Sequence, residues 1–271
     1  MRDNPTTGVS ECETCGLVTP SEDLSRLVDY SAGTMHDWAV GWGGEITGPK
    51  DDSNRRLEAI HQLEEQFRFR SILDYGCGKG EMLSQFSSRY KTYGVEPDTS
   101  ARKFATQRIP SASIFDSYDS AQNHGVQVEA ITLFHVIEHF YLPSLELGNI
   151  RNLLRPEGLL IIETPNSFDA LLTDYECAEF QNFTYWSHHP MLHSRKSLEL
   201  LLERNRFRVL QGEGAQRYSL SNHLYWLSKA APGGHVIWKD RFTDETLKSY
   251  AQDLIKSGGC DTLWLVAQKI D

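Results

Sequence analysis

A glycine-rich stretch around residue 76 constrains the fold of this chain more than any other part of its sequence. The apolar run Ser71–Leu73 is typical of a buried strand, and glycines follow at positions 76, 78 and 80. An apolar-periodic segment, residues 82–86, then predicts a helix. A strand that turns through glycines into a helix presents free backbone N–H groups beside a surface without side chains. The stretch therefore predicts the nucleoside-binding edge of an α/β sheet.

The spacing of the glycines argues against two common phosphate-binding loops. A dinucleotide fingerprint, G-x-G-x-x-G, needs a glycine where Glu81 stands, and a P-loop needs Ser or Thr after its lysine, where Gly80 follows Lys79. Asp74 lies just before the glycines, where it would repel a pyrophosphate and attract an ammonium group. S-adenosylmethionine carries an ammonium and a sulfonium but no phosphate. The pattern therefore favours this ligand over NAD or ATP.

Two further acidic residues follow the next predicted strands. The strand at residues 91–95 ends in Glu96, which Pro97 follows. A carboxylate at the tip of the second strand of a βαβ unit can accept hydrogen bonds from both ribose hydroxyls. A short third strand over residues 111–115 leads to Asp116, which by position would meet an adenine amino group. An aspartate that starts a turn explains Asp116 equally well.

A fourth predicted strand, residues 128–134, delivers the sequence H-V-I-E-H beginning at His135. H-x-x-E-H is also an inverzincin signature, but that motif needs a helical context and here it follows a β run. At the C-terminal edge of a sheet, Phe134 and His135 would pass the methionine part of the ligand, and Glu138 and His139 would face the substrate. A His–Glu pair is a candidate general base, and capping of the next helix is an equally good explanation.

Residues 57–207 resemble class I S-adenosylmethionine-dependent methyltransferases, in the branch of ubiquinone-biosynthesis O-methyltransferases and of sugar methyltransferases from polysaccharide and antibiotic pathways. The resemblance rests on ordered motifs: Asp74–Gly80, Glu96, Phe134–His139, Leu154–Gly158 and Thr164–Asn166. It implies that Asp74 and the backbone of the glycine loop hold the methionine end, with Glu96 and Pro97 at the ribose and Asp116 at the adenine. The loop residues concerned are Gly76, Cys77, Gly78 and Gly80.

Residues 167–192 interrupt the α/β alternation and are rich in aromatic residues and histidine. Inserts after the C-terminal end of a strand commonly shape substrate pockets. Related enzymes carry a histidine ahead of the following helix, and His189 is the best match. His139 with Glu138 is thus the first candidate base, followed by His189 and Tyr185. Clustered histidines could also bind a metal, but their spacing fits no strong template, and we expect no metal.

The alternation of strands and helices predicts an α/β fold of seven strands. Together with the resemblance, it predicts a Rossmann-like, mostly parallel sheet whose last strand is antiparallel and lies beside the sixth. Residues 1–50 are interpreted as an irregular N-terminal arm, and residues 51–271 as the methyltransferase domain with a helical insert at about 218–258. Aromatic residues of the arm, Tyr30, Trp38 and Trp42, either form a lid over the cofactor cleft or cover core surface.

The arm also carries the zinc-knuckle-like sequence Cys12-Glu-Thr-Cys15. A structural zinc site needs four ligands, normally from two such pairs, and no second pair is present. The resemblance suggests an explanation, because several sugar methyltransferases begin with a small zinc-binding module and Cys12 and Cys15 look like its second half without the first. A degenerate remnant, or a site that another chain completes, is the alternative. The 5 cysteines are irregularly spaced, which favours a reducing cytoplasm over a disulfide framework.

The composition of the chain restricts the classes of partner that it could bind. The formal net charge is −10 and no basic stripe offsets it, which argues against nucleic acid. No apolar run approaches the ~18 residues of a membrane span, and the N-terminus has no signal-peptide core, so we expect a cytoplasmic protein. The sequence leaves the oligomeric state open.

These features predict an S-adenosylmethionine-dependent methyltransferase acting on a small hydroxylated metabolite, a sugar or nucleotide-sugar, as in polysaccharide biosynthesis. Histidines without basic patches favour a hydroxyl or enolisable acceptor. Two alternatives stay open. An NAD-linked oxidoreductase shares the architecture, and a non-catalytic homologue could keep the cofactor site without the base.

Overall fold

The structure of the chain, a computed structural model, describes residues 2–4, 8–20, 52–185 and 189–271. Tyr30, Trp38 and Trp42, interpreted as a lid or as a cover of core surface, lie outside these ranges, as does His188 of the histidine-rich insert.

A small antiparallel sheet occupies the first twenty residues, with strands β1 (Arg2–Asn4), β2 (Val9–Glu11) and β3 (Val18–Pro20) in that order. The CxxC turn joins β2 to β3, where the Gly16 N–H donates to the Cys12 carbonyl at 2.7 Å. Val18 and Leu192 exchange both backbone hydrogen bonds at 2.9 Å, which ties β3 to the insert before the seventh helix. This part of the arm is more regular than predicted. Its strands were not predicted because three residues are too few to show an alternating pattern.

A seven-stranded sheet with the order β6–β5–β4–β7–β8–β10–β9 forms the centre of the molecule. Its strands are β4 (Ser71–Tyr75), β5 (Lys91–Val95), β6 (Ser113–Phe115), β7 (Val128–Phe134), β8 (Leu154–Pro165), β9 (Phe207–Ala215) and β10 (Thr262–Lys269). Strands β4 to β8 are parallel, and β10 runs antiparallel between β8 and β9. The predicted Rossmann-like class, with an antiparallel last strand beside the sixth, is confirmed.

Ten α-helices are described: α1 (Asp52–Phe67), α2 (Glu81–Phe86), α3 (Thr99–Arg108), α4 (Tyr118–Asn123), α5 (Pro143–Leu153), α6 (Ala178–Thr184), α7 (Arg195–Arg204), α8 (Leu220–Lys229), α9 (Gly234–Ile237) and α10 (Asp244–Ser257). Thr243 caps α10, since its side chain accepts from the Thr246 N–H. Asp98 caps α3, and its carboxylate accepts from the Ala101 N–H at 2.8 Å.

The core lies on both faces of the central sheet, because neighbouring residues of a strand point to opposite faces. Ile72 and Ile161 face the side covered by α1 and α2, whereas Leu73 and Ile162 face the side covered by α5 and α7. Strand β8 is buried on both faces over residues 158–164, and the sequence there is an almost continuous apolar run. The C-terminal ends of β4, β5, β7 and β8 therefore meet at one edge, where the loops are free to form a site.

Candidate active site

The loop after β4 turns through residues with positive φ, 81° at Gly76 and 53° at Gly78. A Cβ atom at Gly76 would lie 2.5 Å from Cγ2 of Val136, so a larger residue cannot fit without a shift. The N–H groups of Gly76 and Cys77 both donate to the Val95 carbonyl, at 2.7 and 3.1 Å. The glycines thus hold the loop tightly against the end of β5.

A cleft of about 840 Å³ opens in front of this loop. Six of the predicted cofactor residues line it: Gly76, Gly78, Glu96, Pro97, Asp116 and His135. A Cβ atom at Gly78 would meet no protein atom within 4 Å, so the surface free of side chains that the sequence predicted is open. The size of the cleft suits a nucleoside-sized ligand.

Glu96 is fixed at the wall of the cleft by two backbone donors. Its Oε2 accepts from the Gly78 N–H at 2.7 Å, and its Oε1 accepts from the Asp98 N–H at 2.8 Å. Burial raises the pKa of this carboxyl, while the two N–H donors act in the opposite direction. Each oxygen keeps a further lone pair that could accept a hydrogen bond from a ligand hydroxyl.

Four predicted cofactor residues, Asp74, Cys77, Gly80 and Phe134, are not among those that line the cleft. Asp74 is buried beneath the loop, where Oδ1 accepts from the Thr132 hydroxyl at 2.7 Å and burial raises its pKa to about 6. Burial also raises the pKa of the Cys77 thiol. Gly80 packs on Ala105 and Phe134 stacks on Trp264 with ring centroids 5.8 Å apart. These residues support the loop and the strand end, and their contact with a cofactor stays a prediction.

His135 has a φ of 57°, an uncommon backbone conformation for a residue other than glycine. Its Nδ1 lies 3.4 Å from Oε1 of Glu138, and its Nε2 lies 3.2 Å from Oε1 of Glu163. The Arg217 guanidinium also donates to Nε2 at 2.7 Å. Strained residues concentrate at functional sites, and His135 lines both the cleft and a second cavity beside it.

Three of the four predicted catalytic residues come together at this edge. Glu138, His139 and His189 each place one ligand atom within 4.8 Å of the others. The rings of His139 and His189 have centroids 5.1 Å apart. Glu138 is 1% exposed, and its Oε2 accepts from the Thr164 hydroxyl at 2.9 Å. The same three groups could hold a metal ion, although the sequence predicted none.

The cluster has a defined charge state at neutral pH. Burial raises the pKa of Glu138, but the hydrogen bond from His135 and the nearby imidazoles outweigh it and lower the pKa to about 2. Burial lowers the pKa of His189 to about 4. A carboxylate therefore lies beside a neutral imidazole, the arrangement that a general base requires.

The fourth predicted catalytic residue, Tyr185, lies away from this cluster. It packs against the apolar cluster of Val9, Val18, Leu172 and Leu192, and burial raises its pKa to about 12. Tyr185 does not line the cleft or the second cavity. Its predicted catalytic role therefore gains no support from its position.

Sequence reasoning missed a buried ionic network behind His135. Glu163 is fully buried, and its carboxylate accepts from Arg55 at 2.6 Å and from the Nε of Arg56 at 3.0 Å. The Nε and Nη2 of Arg217 donate to Oδ2 of Asp52 at 2.8 and 2.6 Å. A glutamate at the end of the apolar run of β8 was the available signal, because a buried charge needs partners.

The second cavity, of about 180 Å³, adjoins the cleft at His135. Its walls come from the insert after β8 and from the helices before β10, and they include Asp169, Phe180, Phe183, His189, Arg217, Tyr218, Asn222, Trp226 and Asp261. The two segments predicted as an insert and a helical excursion therefore enclose one space, next to the base cluster of Glu138, His139 and His189.

Residues 51–212, more than half of the chain, match the family model described as a methyltransferase domain. The chain belongs to this family.

Curated relatives of the methyltransferase domain are distant. An uncharacterized methyltransferase of Oceanobacillus iheyensis is 24% identical over 134 residues, covering 47% of this chain and 63% of the relative. A probable S-adenosylmethionine-dependent methyltransferase of Mycolicibacterium smegmatis is 26% identical over 117 residues, covering 41% of this chain and 45% of the relative. The chain thus spans less than two thirds of the length of either relative.

Solved structures share the fold of the methyltransferase domain at low sequence identity. A SAM-dependent methyltransferase from Archaeoglobus fulgidus has a TM-score of 0.56 and 16% identity, covering 87% of this chain and 99% of that chain. The plantazolicin methyltransferase BpumL, in complex with a triazolic desmethylPZN analog and SAH, has a TM-score of 0.57 and 17% identity, covering 89% and 93%. The predicted class, a methyltransferase domain for S-adenosylmethionine, is confirmed at the level of the family. The predicted branch is not resolved by these relatives.

Among the described helices of the methyltransferase domain, none is both long enough and apolar enough to cross a membrane.

Proposed function

We propose that this chain transfers a methyl group from S-adenosylmethionine to a hydroxyl group of a small metabolite, and that the metabolite is a sugar or nucleotide-sugar. The observation that carries the proposal is the junction of two features at His135. His135 lines both the glycine-lined cleft and the second cavity, and its Nδ1 lies 3.4 Å from Glu138 of the cluster that also contains His139 and His189. A cofactor in the cleft and an acceptor in the second cavity would meet beside this cluster, which contains the proposed general base.

The residues of the cleft fit the proposed cofactor. The open surface at Gly78 leaves room for a ligand against the loop backbone, and Glu96 offers two fixed acceptor oxygens for the ribose. Asp116 lines the same cleft, in reach of a purine amino group in our proposal. When bound, S-adenosylmethionine supplies a methyl group on a positively charged sulfur, which is already a good leaving group. The protein then has to position the acceptor and take its proton.

The base is assigned to the facing histidines. His139 lines the cleft and His189 lines the second cavity, so an acceptor hydroxyl between the two spaces would lie beside both rings. The neutral imidazole of His189 accepts the hydroxyl proton at a ring nitrogen, and the carboxylate of Glu138 stabilises the imidazolium that forms. His135 and Thr164 hold Glu138 in place.

The walls of the second cavity support a sugar as acceptor. They combine aromatic rings, such as Trp226 and Phe183, with the amides and carboxylates of Asn222, Asp169 and Asp261. A pyranose ring has apolar faces that can pack on aromatic rings. Its hydroxyl groups can donate hydrogen bonds to amide and carboxylate oxygens. The net charge of −10 also disfavours a polyanionic acceptor such as nucleic acid.

Calorimetric titration with S-adenosylhomocysteine tests the cofactor assignment. We expect wild type to bind, and E96Q to bind about 10- to 100-fold more weakly, because hydrogen bonds to a charged acceptor are lost. E81Q is the matched control, since Glu81 is exposed at the start of α2. Binding of NAD in place of S-adenosylhomocysteine would contradict the proposal.

Turnover tests the reaction. Production of S-adenosylhomocysteine with a panel of sugars and nucleotide-sugars is the expected result. If S-adenosylhomocysteine binds normally but no hydroxylated acceptor is methylated, the chain is a non-catalytic homologue and the assigned reaction is wrong.

A further inference from the structure

The second cavity has a chemical character that the methyl-transfer reaction alone does not require. Its volume of about 180 Å³ lies below the ~300–1,000 Å³ of pockets that hold a drug-sized ligand, which suits one six-membered ring with its substituents. A whole nucleotide-sugar would need more room. The cavity therefore encloses the part of the acceptor that carries the methylated group, in our proposed function.

Aromatic rings form one wall of this cavity. Trp226 is 2% exposed, and its ring lies 5.2 Å from that of Phe180 and 5.3 Å from that of Phe183, measured between centroids. On another side, the rings of Tyr218 and His235 have centroids 5.3 Å apart. The face of an aromatic ring attracts cations, in addition to packing against apolar groups.

Two buried carboxylates line the same space. Asp169 is 4% exposed; its Oδ1 accepts from the Leu171 N–H at 2.8 Å, and no donor in the described part of the chain reaches its other oxygen. Asp261 is held rigidly, since its carboxylate accepts from the Gln216 amide and from the N–H groups of Arg217 and Tyr218. Asp169 thus offers an unused acceptor oxygen in a cavity wall.

The fixed charges around the site leave Asp169 without a cation. Behind His135, the arginines Arg55, Arg56 and Arg217 pair with Asp52 and Glu163, whereas Glu138 pairs with His135. Arg217 lines the cavity and acts against the effect of burial, which raises the pKa of Asp261. Within the described ranges, no lysine and no further arginine lines the cavity to match Asp169. Buried carboxylates stay ionised at low cost when a cation joins them, and otherwise they tend to take up a proton.

We propose that the second cavity recognises an ammonium group, so that the acceptor is an amino sugar whose charged nitrogen binds Asp169 between the aromatic walls. The proposal rests on the proposed methyltransferase function, and it specifies the acceptor. The ammonium group serves for recognition. A hydroxyl on the same ring then faces the base cluster, because His189 lines the cavity that holds the nitrogen.

Binding by the full chain saturated with S-adenosylhomocysteine tests the proposal. The probes are D-glucosamine and D-galactosamine, each compared with its parent hexose and with its uncharged N-acetyl derivative. We expect the amines to bind about tenfold more tightly than both neutral partners, because a charge-assisted hydrogen bond is gained. Equal affinity of amines and neutral sugars, or no binding of either amine at millimolar concentration, overturns the proposal.

D169N is expected to abolish the preference for the amine while leaving the affinity for S-adenosylhomocysteine unchanged. D174N is the matched control, because Asp174 is an exposed acid of the same insert. A preference that survives in D169N contradicts the assignment. If D169N is too unstable to titrate, the probe series on wild type decides by itself. Loss of S-adenosylhomocysteine binding in wild type would refute the methyltransferase function, whereas normal cofactor binding without amine preference would refute only the acceptor assignment.

Discussion

His139 and His189 face each other with ring centroids 5.1 Å apart, although one follows strand β7 and the other belongs to the insert before α7. Their proximity joins the edge of the sheet to the insert. Glu138 lies within reach of both rings. The proposed base therefore lies at the boundary between the cleft and the second cavity, where a transferred methyl group would cross.

Replacing His189 by alanine should lower kcat by about 10²- to 10⁴-fold, the usual effect of removing a general base. The dissociation constant of S-adenosylhomocysteine should not change, because His189 does not line the cofactor cleft. Steady-state kinetics and calorimetry measure the two effects. H124A is the control, since His124 is exposed after α4. Unchanged turnover in H189A would remove this residue from the mechanism.

Chelation separates a base from a metal site in the same cluster. A bound divalent ion would occupy the lone pairs that take the proton, so we expect turnover to persist after dialysis against EDTA. Loss of turnover that Zn²⁺ or Mg²⁺ restores would assign Glu138, His139 and His189 to a metal site instead.

The pH dependence of kcat/KM should show that His189 is buried. Burial lowers its pKa to about 4, so the neutral form that accepts a proton is present above that pH. In H139A, where His189 is the remaining histidine of the pair, burial still lowers its pKa although His139 no longer contributes, so kcat/KM should stay level from about pH 8 down past about pH 6.5. An acid limb near the ordinary histidine pKa of about 6.5 in this variant would show that His189 is solvated during turnover.

Substitution of Gly76 by alanine should destabilise the fold and abolish cofactor binding. The added methyl group would lie 2.5 Å from Cγ2 of Val136, at a φ of 81°. We expect a loss of about 2–5 kcal/mol in the free energy of unfolding, from strain and overpacking together. G125A isolates the strain, because Gly125 has a φ of 70° but open space around it, and it should lose about 1–2 kcal/mol. Urea denaturation measures both, and equal losses would contradict the clash.

Substitution of Glu163 by glutamine should destabilise the chain by about 3–5 kcal/mol, because it leaves buried arginines without their carboxylate. The Arg56 side chain is 13% exposed and that of Glu163 is fully buried. E199Q is the control: Glu199 pairs with Arg195 on the surface at 2.8 Å, and its loss should cost under about 1 kcal/mol. A small effect of E163Q would mean that water reaches the network.

Local chemistry allowed six of the residues that line the cleft to be named from the sequence. Gly76 and Gly78 belong to one short strand–turn–helix, so their spacing already specifies the loop. Glu96 and His139 follow strands whose ends had to meet at one edge of the sheet. The cap of α3 is Asp98, but Asp98, Thr99 and Ser100 are all good capping residues, and sequence alone does not rank them.

The parts that sequence reasoning missed depend on long-range contacts. Arg217 and Asp52 form an ion pair across 165 positions, and no periodicity in either segment indicates it. The aromatic wall joins Phe183 to Trp226, which come from two separate insertions into the fold. Tyr185 was a reasonable candidate by proximity in sequence to His189, but the end of α6 directs it toward the small N-terminal sheet instead.

The placement of β10 between β8 and β9 has an evolutionary consequence. Asp261 directly precedes this strand, and the helices before it close one side of the second cavity, while the insert after β8 closes another. Both segments are excursions that leave and re-enter the sheet at its rim, so their lengths can change without altering strand pairing. Exchanging these two segments between methyltransferases of this fold should change which acceptor is bound. The cleft proposed for the cofactor should stay unchanged.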